Sequence, residues 1–559
     1  MSQIKMADDI LIEGAEDLIS NLPDVILQHI LCFLPTTKES ISTSLLSRRW
    51  RHVWCEIPSF SLDVDTLKTA DSVNQTLTRY TAPKTKSFHL TVTSYEENIP
   101  YIDRWIKFAM SHDVEYLSLD LEFLEPYRLP DFFYNSFSFK QLNITLSSSQ
   151  RIVPKCSTVS WTSLKKLSLS CCILSDESMA KILSGCPILE NLSLNFLPLR
   201  NYCVYRLPDF SYSSSSIKQL SITLSSYHMI VPGCSTVSWT SLKKLSLSCC
   251  SLSEESMAKI LSGCPVLEDL TLSNCDELKV IDLSKSLRLK TLEVNSGVTV
   301  GEPTQIVAPH IHFLRLLNPH YSSYTLVDVA SLTEAELEIS FFESHIKTDF
   351  LQLQVKVLEM LDKLQNAEKL TLGGNFIQIV SLAEIGGVPF PMLKVKSLTL
   401  DTKICQYVIP GIKRLLQNSL DLEKLTVHGK TSFHVPVQIL YIYLELQGLN
   451  VNKWCRAKNR AAWAKLCKDA KLEHVVSLVE LMLKNCTEKI NKMVVLLDER
   501  YLTFKIEDLT ATLSQHNNVT IVLFSHQIEI KLENDGLRRR DVVPKSSIPL
   551  GPDTWYTVA

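Results

Sequence analysis

Glycine is scarce in this sequence, with 15 in 559 residues. None stands in a G-x-G-x-x-G or G-x-x-x-x-G-K-[ST] arrangement, so the backbone loops that wrap a pyrophosphate are missing. Charge of one sign is missing too: 57 Lys and Arg face 60 Asp and Glu, for a net charge of −3. No global field therefore draws the chain to nucleic acid or to an anionic membrane, and neither is expected as a partner. No apolar run approaches the roughly 18 residues of a membrane span. The acidic segment Met1–Asp17 lacks the basic-then-apolar order of a secretory leader, which predicts an intracellular protein of the nucleus, the cytoplasm or both. In that setting the 16 cysteines read as reduced thiols, and no C-x-x-C spacing marks a metal or redox site.

Catalytic patterns are equally absent. There is no G-x-S-x-G elbow and no H-E-x-x-H helix. His310 and His312 alternate on a predicted strand, but no acidic or cysteine ligand accompanies them, and they read as surface residues. The adjacent pairs Cys171–Cys172 and Cys249–Cys250 sit at turns, where two neighbours rarely chelate one ion. No catalytic residue, metal or cofactor is expected.

What the chain does contain is repetition. Tyr127-Arg128-Leu129-Pro130-Asp131-Phe132 returns as Tyr205-Arg206-Leu207-Pro208-Asp209-Phe210, 78 residues later. Between Ile152–Leu192 and Ile230–Leu270, 36 of 41 positions are identical at that offset, without a gap. A shorter period lies inside the long one. Leu142, Leu167 and Leu192 are 25 apart, as are Leu220, Leu245 and Leu270. Each opens a strand of L-x-L type, with Ile in the third place after Leu142 and Leu220, and a helix-like stretch ending in Gly-Cys-Pro follows Leu167 and Leu245. Strand plus helix every 20–29 residues is the signature of a leucine-rich repeat. One repeat cannot bury its own apolar face, so neighbours must stack into a solenoid, a curved parallel sheet with outer helices. Weaker L-x-L strands at Leu117, Leu292, Leu314, Leu370, Leu398 and Leu425 extend the array to residues 85–430, around a duplication of 127–196 and 205–274.

In such strands the leucines point inward and the residues between them point outward. That puts Lys166, Ser168, Ser170, Lys244, Ser246, Ser248, Asp269, Thr271 and Ser273 on a concave candidate binding face. Small and polar, it fits a protein target better than an apolar ligand pocket.

The N-terminal region, residues 17–63, reads as a small helical unit behind a flexible stretch at 1–16. Leu22-Pro23-Asp24 opens a helix, and Ile26, Ile30 and Leu34, with Leu27 and Leu31, form its apolar stripe. Thr36 and Glu39 have capping-box spacing for a second helix whose apolar side holds Ile41, Leu45 and Leu46. A third carries Trp50 and Trp54 among basic residues. About 40 residues cannot hide so many large apolar side chains, so the surplus either packs on the next domain or meets a partner.

Asn21-Leu22-Pro23-Asp24-Val25-Ile26-Leu27 followed by Leu45-Leu46-Ser47-Arg48-Arg49-Trp50-Arg51-His52-Val53-Trp54 resembles an F-box, in the form common among plant F-box proteins. Ser42, where relatives often carry arginine, is a mild departure. The resemblance implies docking to the Skp-type adaptor of a cullin–RING ubiquitin ligase. By the same resemblance, Leu22, Pro23, Ile26, Leu27, Ile30, Leu31, Leu34, Trp50 and Trp54 face that adaptor or the small core behind it.

Beyond 430, the basic and aromatic block 448–471 reads as a solvated linker or helix rather than a single-strand binder. Val476–Asn485 followed by Lys492-Met-Val-Val-Leu-Leu497 resembles the FBD domain found at the C-terminus of plant F-box proteins with leucine-rich repeats, although Thr487–Ile490 is atypical. It is placed at 431–525 as a cap on the solenoid. Residues 526–559, with Arg538-Arg539-Arg540, read as a flexible tail carrying a conceivable localisation signal.

The expected fold class is thus α/β: a helical F-box, a leucine-rich solenoid and an FBD-like α/β cap. The expected role is a non-catalytic substrate receptor that brings an unknown target protein to a ligase. Two alternatives stay open: a binding protein with a vestigial F-box, and a small-molecule sensor.

Overall fold

The computed structural model describes residues 19, 22–67, 69–93, 98–123, 127–147, 151–152, 154, 158–196, 213–229, 237–275, 278–295, 304–317, 324–338, 350–404, 408–429, 472–485, 492–497, 519–523, 528–533 and 536–541. It divides into two compact units, residues 1–225 and 226–559. The expected features at 1–16, 205–210 and 448–471 and the last eighteen residues lie outside the described residues.

The first unit begins with helices α1 (Asp24–Leu31), α2 (Thr37–Ser42) and α3 (Trp50–Val53). Pro23 stands just before α1 in an extended conformation, so its missing N–H costs no helical hydrogen bond. The capping box at Thr36 and Glu39 forms as the spacing predicts, with the Thr36 N–H donating to Glu39 Oε2 at 3.3 Å.

A parallel ladder follows, built of β1 (Ser59–Asp63), β2 (Ser87–Val92), β3 (Tyr116–Leu121), β4 (Gln141–Leu146), β5 (Lys166–Ser170), β6 (Asn191–Asn195) and β7 (Gln219–Met229). Its register aligns the repeat leucines: Leu117 opposite Leu142, then Leu167, Leu192 and Leu220. These five are buried. Parallel strands need crossovers, supplied here by elements that include α4 (Val64–Leu67), α5 (Ala70–Arg79), α6 (Ile99–Ser111) and α7 (Asp176–Ser184).

In the second unit the same ladder pattern runs through β8 (Lys244–Ser251), β9 (Asp269–Ser273), β10 (Thr291–Asn295), β11 (Phe313–Leu317), β12 (Glu334–Leu337), β13 (Lys369–Gly373), β14 (Ser397–Thr402) and β15 (Lys424–Gly429). Its helices include α8 (Glu254–Ser262), α9 (Phe350–Lys363), α10 (Gly374–Ile385), α11 (Ile409–Gln417) and α12 (Leu472–Asn485). The middle repeats are built differently. From Asp269 to Thr291 and on to Phe313 the spacing is 22 residues, and short strands at Val280–Asp282, Thr304–Val307 and Tyr324–Asp328 pair in parallel where longer repeats carry a helix. Three fewer residues leave too little chain for two helical turns with their caps.

Duplicated residues fold alike. Ser175 and Ser253 cap α7 and α8, each accepting from the N–H three residues on, at 3.2 and 3.1 Å. Each helix ends at a glycine, Gly185 or Gly263, where a Cβ would lie 2.4 Å from the carbonyl oxygen of Val159 or Val237. Glycine is therefore required there by space. Trp161 and Trp239 are buried beside them, with backbone N–H groups donating to Gly185 and Gly263 carbonyls at 3.0 and 2.9 Å.

Two boundaries differ from the sequence reading. The ladder starts inside the span assigned to the F-box, at Ser59, because Phe60 and Leu62 alternate inward like repeat leucines. It also runs past 430, through β16 (Lys492–Leu497) and β17 (Val519–Leu523), both parallel. Residues expected in a flexible tail form β18 (Ile528–Glu533) and β19 (Gly536–Asp541), an antiparallel pair joined to β17. The alternation of Ile528, Ile530 and Leu532 supports a strand despite the charged composition, and the arginine triplet lies within β19. His310 and His312 precede β11 rather than sharing a strand face, and His312 Nδ1 lies 3.1 Å from the Ser331 carbonyl.

Candidate functional site

Two surfaces carry the sequence-predicted residues. The first is built on α1–α3. Leu27, Leu31 and Trp54 are buried and form the small core, so these three predicted site residues do not offer their side chains to another protein. This core is continuous with the first repeat. Ser61 N–H donates to the buried Thr37 Oγ1 at 2.8 Å, Lys38 Nζ to the Thr66 carbonyl at 3.0 Å, and Thr81 N–H to the Cys55 carbonyl at 2.9 Å. Tyr80 hydroxyl donates to the Ile57 carbonyl at 2.6 Å, and burial pushes its pKa up to about 12. The helical module therefore sits on β1 and the segments beside it, covering part of its apolar surplus.

The rest of the surplus stays exposed. Ile26 and Ile30 face outward on α1, and Leu22, Leu34 and Trp50 are half-buried, with Pro23 exposed. Four further side chains widen this apolar surface: Val25 at 72% exposure, Phe33 at 71%, Leu45 at 90% and Leu46 at 68%. Leu45 and Leu46 were legible as an apolar side of the second helix, which ends early, at Ser42, and gives way to a tight turn over Thr43–Leu45. Val25 and Phe33 were not, since helical spacing alone does not tell which of two adjacent stripes meets the protein core. Arg49 clamps the module, pairing with Asp24 at 2.6 Å and donating to the Leu22 carbonyl.

The second surface is the outward row of the ladder. In the first unit Lys166 is exposed, Ser168 and Ser170 are half-buried, and Asn191 donates to Gln219 Oε1 at 2.7 Å in the neighbouring repeats. In the second unit Lys244 faces Asp269 across the register, at 2.8 Å, with Ser246, Ser248, Thr271 and Ser273 half-buried beside them. The same rows continue into residues that the sequence reading did not single out. Arg315 bridges Glu293 and Glu336, at 3.2 Å each, from the strands on either side. Glu293 and Arg315 occupy the middle of visible L-x-L patterns. Glu336 was hidden because Ala335 replaces the leucine.

At the strand entrances, oppositely charged residues pair between repeats: Glu115 with Lys140 at 2.7 Å, Glu190 with Lys218 at 3.1 Å, Glu268 with Lys243 and Lys290 at 3.3 and 3.1 Å, and Glu368 with Lys396 at 2.8 Å. The Lys290 and Lys243 ammonium groups hold the Glu268 carboxyl below the usual carboxylate range.

Among the described residues, no group of three or more His, Cys, Asp or Glu side chains is arranged to hold a metal, and no helix is long and apolar enough to cross a membrane. Burial pushes the Cys172, Cys186 and Cys264 thiols up to about 12. Such thiols are packing groups, protonated at neutral pH. A cavity of about 280 Å³ lies between α7 and Ser214–Ile217, at the lower limit of small-molecule sites and away from the outward strand rows.

Comparison with known proteins matches both the helical module and the repeats. Residues 19–62 match the F-box domain, and residues 102–231 and 193–405 match the family described as FBD-associated F-box protein At5g56370, LRR repeats. The putative F-box/LRR-repeat protein At3g18150 of Arabidopsis thaliana is 46% identical over 520 residues, 92% of this chain and 93% of the relative. The F-box/LRR-repeat protein At5g02910 of the same plant is 40% identical over 91% of this chain and 94% of its own length. The probable F-box protein At1g60180, also from Arabidopsis thaliana, is 54% identical over 56% of this chain and 96% of its own length. With a helical module that leaves apolar side chains exposed and parallel ladders of in-register leucine strands, this chain belongs to the F-box/leucine-rich-repeat protein family.

Proposed function

We propose that this protein is the substrate-recognition subunit of an SCF-type ubiquitin ligase. The exposed apolar side chains of the helical module bind a Skp-type adaptor, which connects it to cullin and RING subunits, and the outward strand rows hold a target protein. The observation that carries this reading is the contrast in exposure: large apolar side chains face solvent around α1 and Leu45–Leu46, as an interface core requires. The chain itself does no bond chemistry in this account. It raises the effective concentration of target lysines near the ubiquitin carrier.

The polar strand rows favour a protein target over a small molecule. Ser, Thr and paired charges offer many hydrogen bonds and no enclosed apolar volume. The FBD-like region past 430 extends the ladder, consistent with a capping role.

Proximity labelling tests the proposal, comparing the intact protein with the Leu22→Ala/Pro23→Ala variant under proteasome inhibition. The intact protein should label adaptor, cullin and a target that accumulates as ubiquitin conjugates. The variant should keep the target and lose the adaptor and the conjugates. Undiminished adaptor labelling by the variant would contradict the docking assignment, and an unchanged target without conjugates in either sample would contradict the ligase role.

A further inference from the structure

The duplicated repeats differ at one turn in a way the functional reading does not use. Strand β8 leaves the ladder through Cys249-Cys250, and β9 leaves it through Asn274-Cys275. Ser248 stands opposite Ser273 in the parallel register. The next residue in each chain takes the same left-handed turn, with φ 54° at Cys249 and 53° at Asn274. Equal turns preserve the offset, so Cys250 and Cys275 stay neighbours across adjacent repeats.

Side-chain contacts agree. Asn274 Nδ2 donates to Cys249 Sγ at 3.7 Å, and Cys275 Sγ lies 3.5 Å from the Leu247 carbonyl oxygen of the adjoining strand. Cys250 Sγ donates to the Ser248 carbonyl at 3.2 Å, and the neighbouring Cys275 thiol, together with burial, raises the pKa of Cys250. Neighbouring strands lie about 4.8 Å apart, within the roughly 4.4–6.8 Å Cα separation of disulfides. Cys250 is buried, whereas Cys275 is half-buried and within reach of a reagent.

The first copy provides an internal control. Cys171 and Cys172 correspond to Cys249 and Cys250, and Cys171 also has a left-handed φ, of 57°. The residue corresponding to Cys275 there is Leu197, so Cys172 has no equivalent partner.

We propose that Cys250 and Cys275 are a thiol–disulfide pair, which a small-molecule disulfide such as oxidised glutathione links, fastening the repeats of β8 and β9 together. Cys275, as thiolate, attacks one glutathione sulfur. The glutathione S–S bond breaks, a mixed disulfide forms, and the departing glutathione thiolate takes up the proton that Cys275 released. The Cys250 sulfur then attacks Cys275 Sγ, its proton passing to the second glutathione as that leaves. Two thiols are oxidised by two electrons, and one glutathione disulfide is reduced to two glutathione thiols. Contact between the sulfurs makes the second step intramolecular and favours it over a lasting glutathione adduct.

Peptide mapping of the full-length protein after exposure to oxidised glutathione tests this, with free thiols blocked before trypsin. The expected product joins Leu245–Lys259 to Ile260–Lys279, with fragment ions assigning the bond to Cys250 and Cys275. Leu167–Lys181 should carry no such link. Oxidation should raise the Tm of the wild-type protein and leave that of Cys275→Ser unchanged. A stable glutathione adduct on Cys275, or a bond from Cys275 to Cys249 or Cys264, would overturn the proposal, and neither result depends on a variant folding.

Discussion

The helical module and the strand rows meet solvent in opposite ways. Around α1 the exposed side chains are Val25, Ile26, Ile30, Phe33, Leu45 and Leu46. Along β8–β12 every repeat leucine or its substitute is buried, and the outward positions hold Ser, Thr and paired charges such as Lys244–Asp269 and Glu293–Arg315–Glu336. One surface offers hydrophobic burial, which is strong and undirected. The other offers hydrogen bonds and charge register, which contribute less energy and more discrimination. That division suits a constant partner on the first surface and a selected partner on the second.

The sharpest way to break this contrast is to make one substitution on each side of it. Leu245→Asp places a carboxylate at a 1% exposed position. It should cost more than about 4 kcal/mol and abolish cooperative unfolding of the second unit, as read by thermal melts. Leu45→Asp, at a 90% exposed position, should change stability by less than about 0.5 kcal/mol. Equal costs at the two sites would end the distinction.

A smaller effect is expected at Gly263. A methyl group there meets the Val237 carbonyl oxygen and carbon at 2.4 and 2.7 Å, so Gly263→Ala should cost about 1–3 kcal/mol. Because Gly185 meets Val159 at the same distances, Gly185→Ala should cost a similar amount. Denaturant titration of both variants shows whether the duplicated turns are energetically as well as geometrically alike.

The smallest effect concerns the strand-entrance charges. The Glu268 carboxyl is held low by Lys290 and Lys243, so the native state binds its proton less readily than the unfolded chain. That contribution is present above the unfolded value near about 4.3 and fades as pH falls through the lower native value. Between about pH 6 and pH 3 the wild type should therefore lose slightly more Tm than Lys243→Ala/Lys290→Ala. High salt should remove the difference, since these groups are exposed.

The inward positions of the ladder were largely legible, because period-2 leucines must share a face. Repeats without that signature escaped: β12 uses Ala335, and β1 uses Phe60 with Leu62 inside a stretch that also belongs to the F-box motif. The strand pair at 528–541 was masked by its lysines and arginines. At the candidate sites, residue type was readable and direction was not. Leu27 and Ile26 are adjacent and equally apolar, yet one is buried and the other exposed, and only the packing of α1 on α3 and its neighbours decides which. Likewise the Glu293–Arg315–Glu336 bridge needs the register of three strands, which no single repeat encodes.

The most direct measurement is calorimetric titration of a purified Skp-type adaptor into the full-length protein and into Leu45→Asp/Leu46→Asp. Each buried leucine anchor contributes roughly 1.5–3 kcal/mol, so the double variant should bind at least ~100-fold more weakly while its thermal melt matches the wild type. Wild-type affinity retained by that variant would show that the exposed apolar surface of the helical module is not where the adaptor binds.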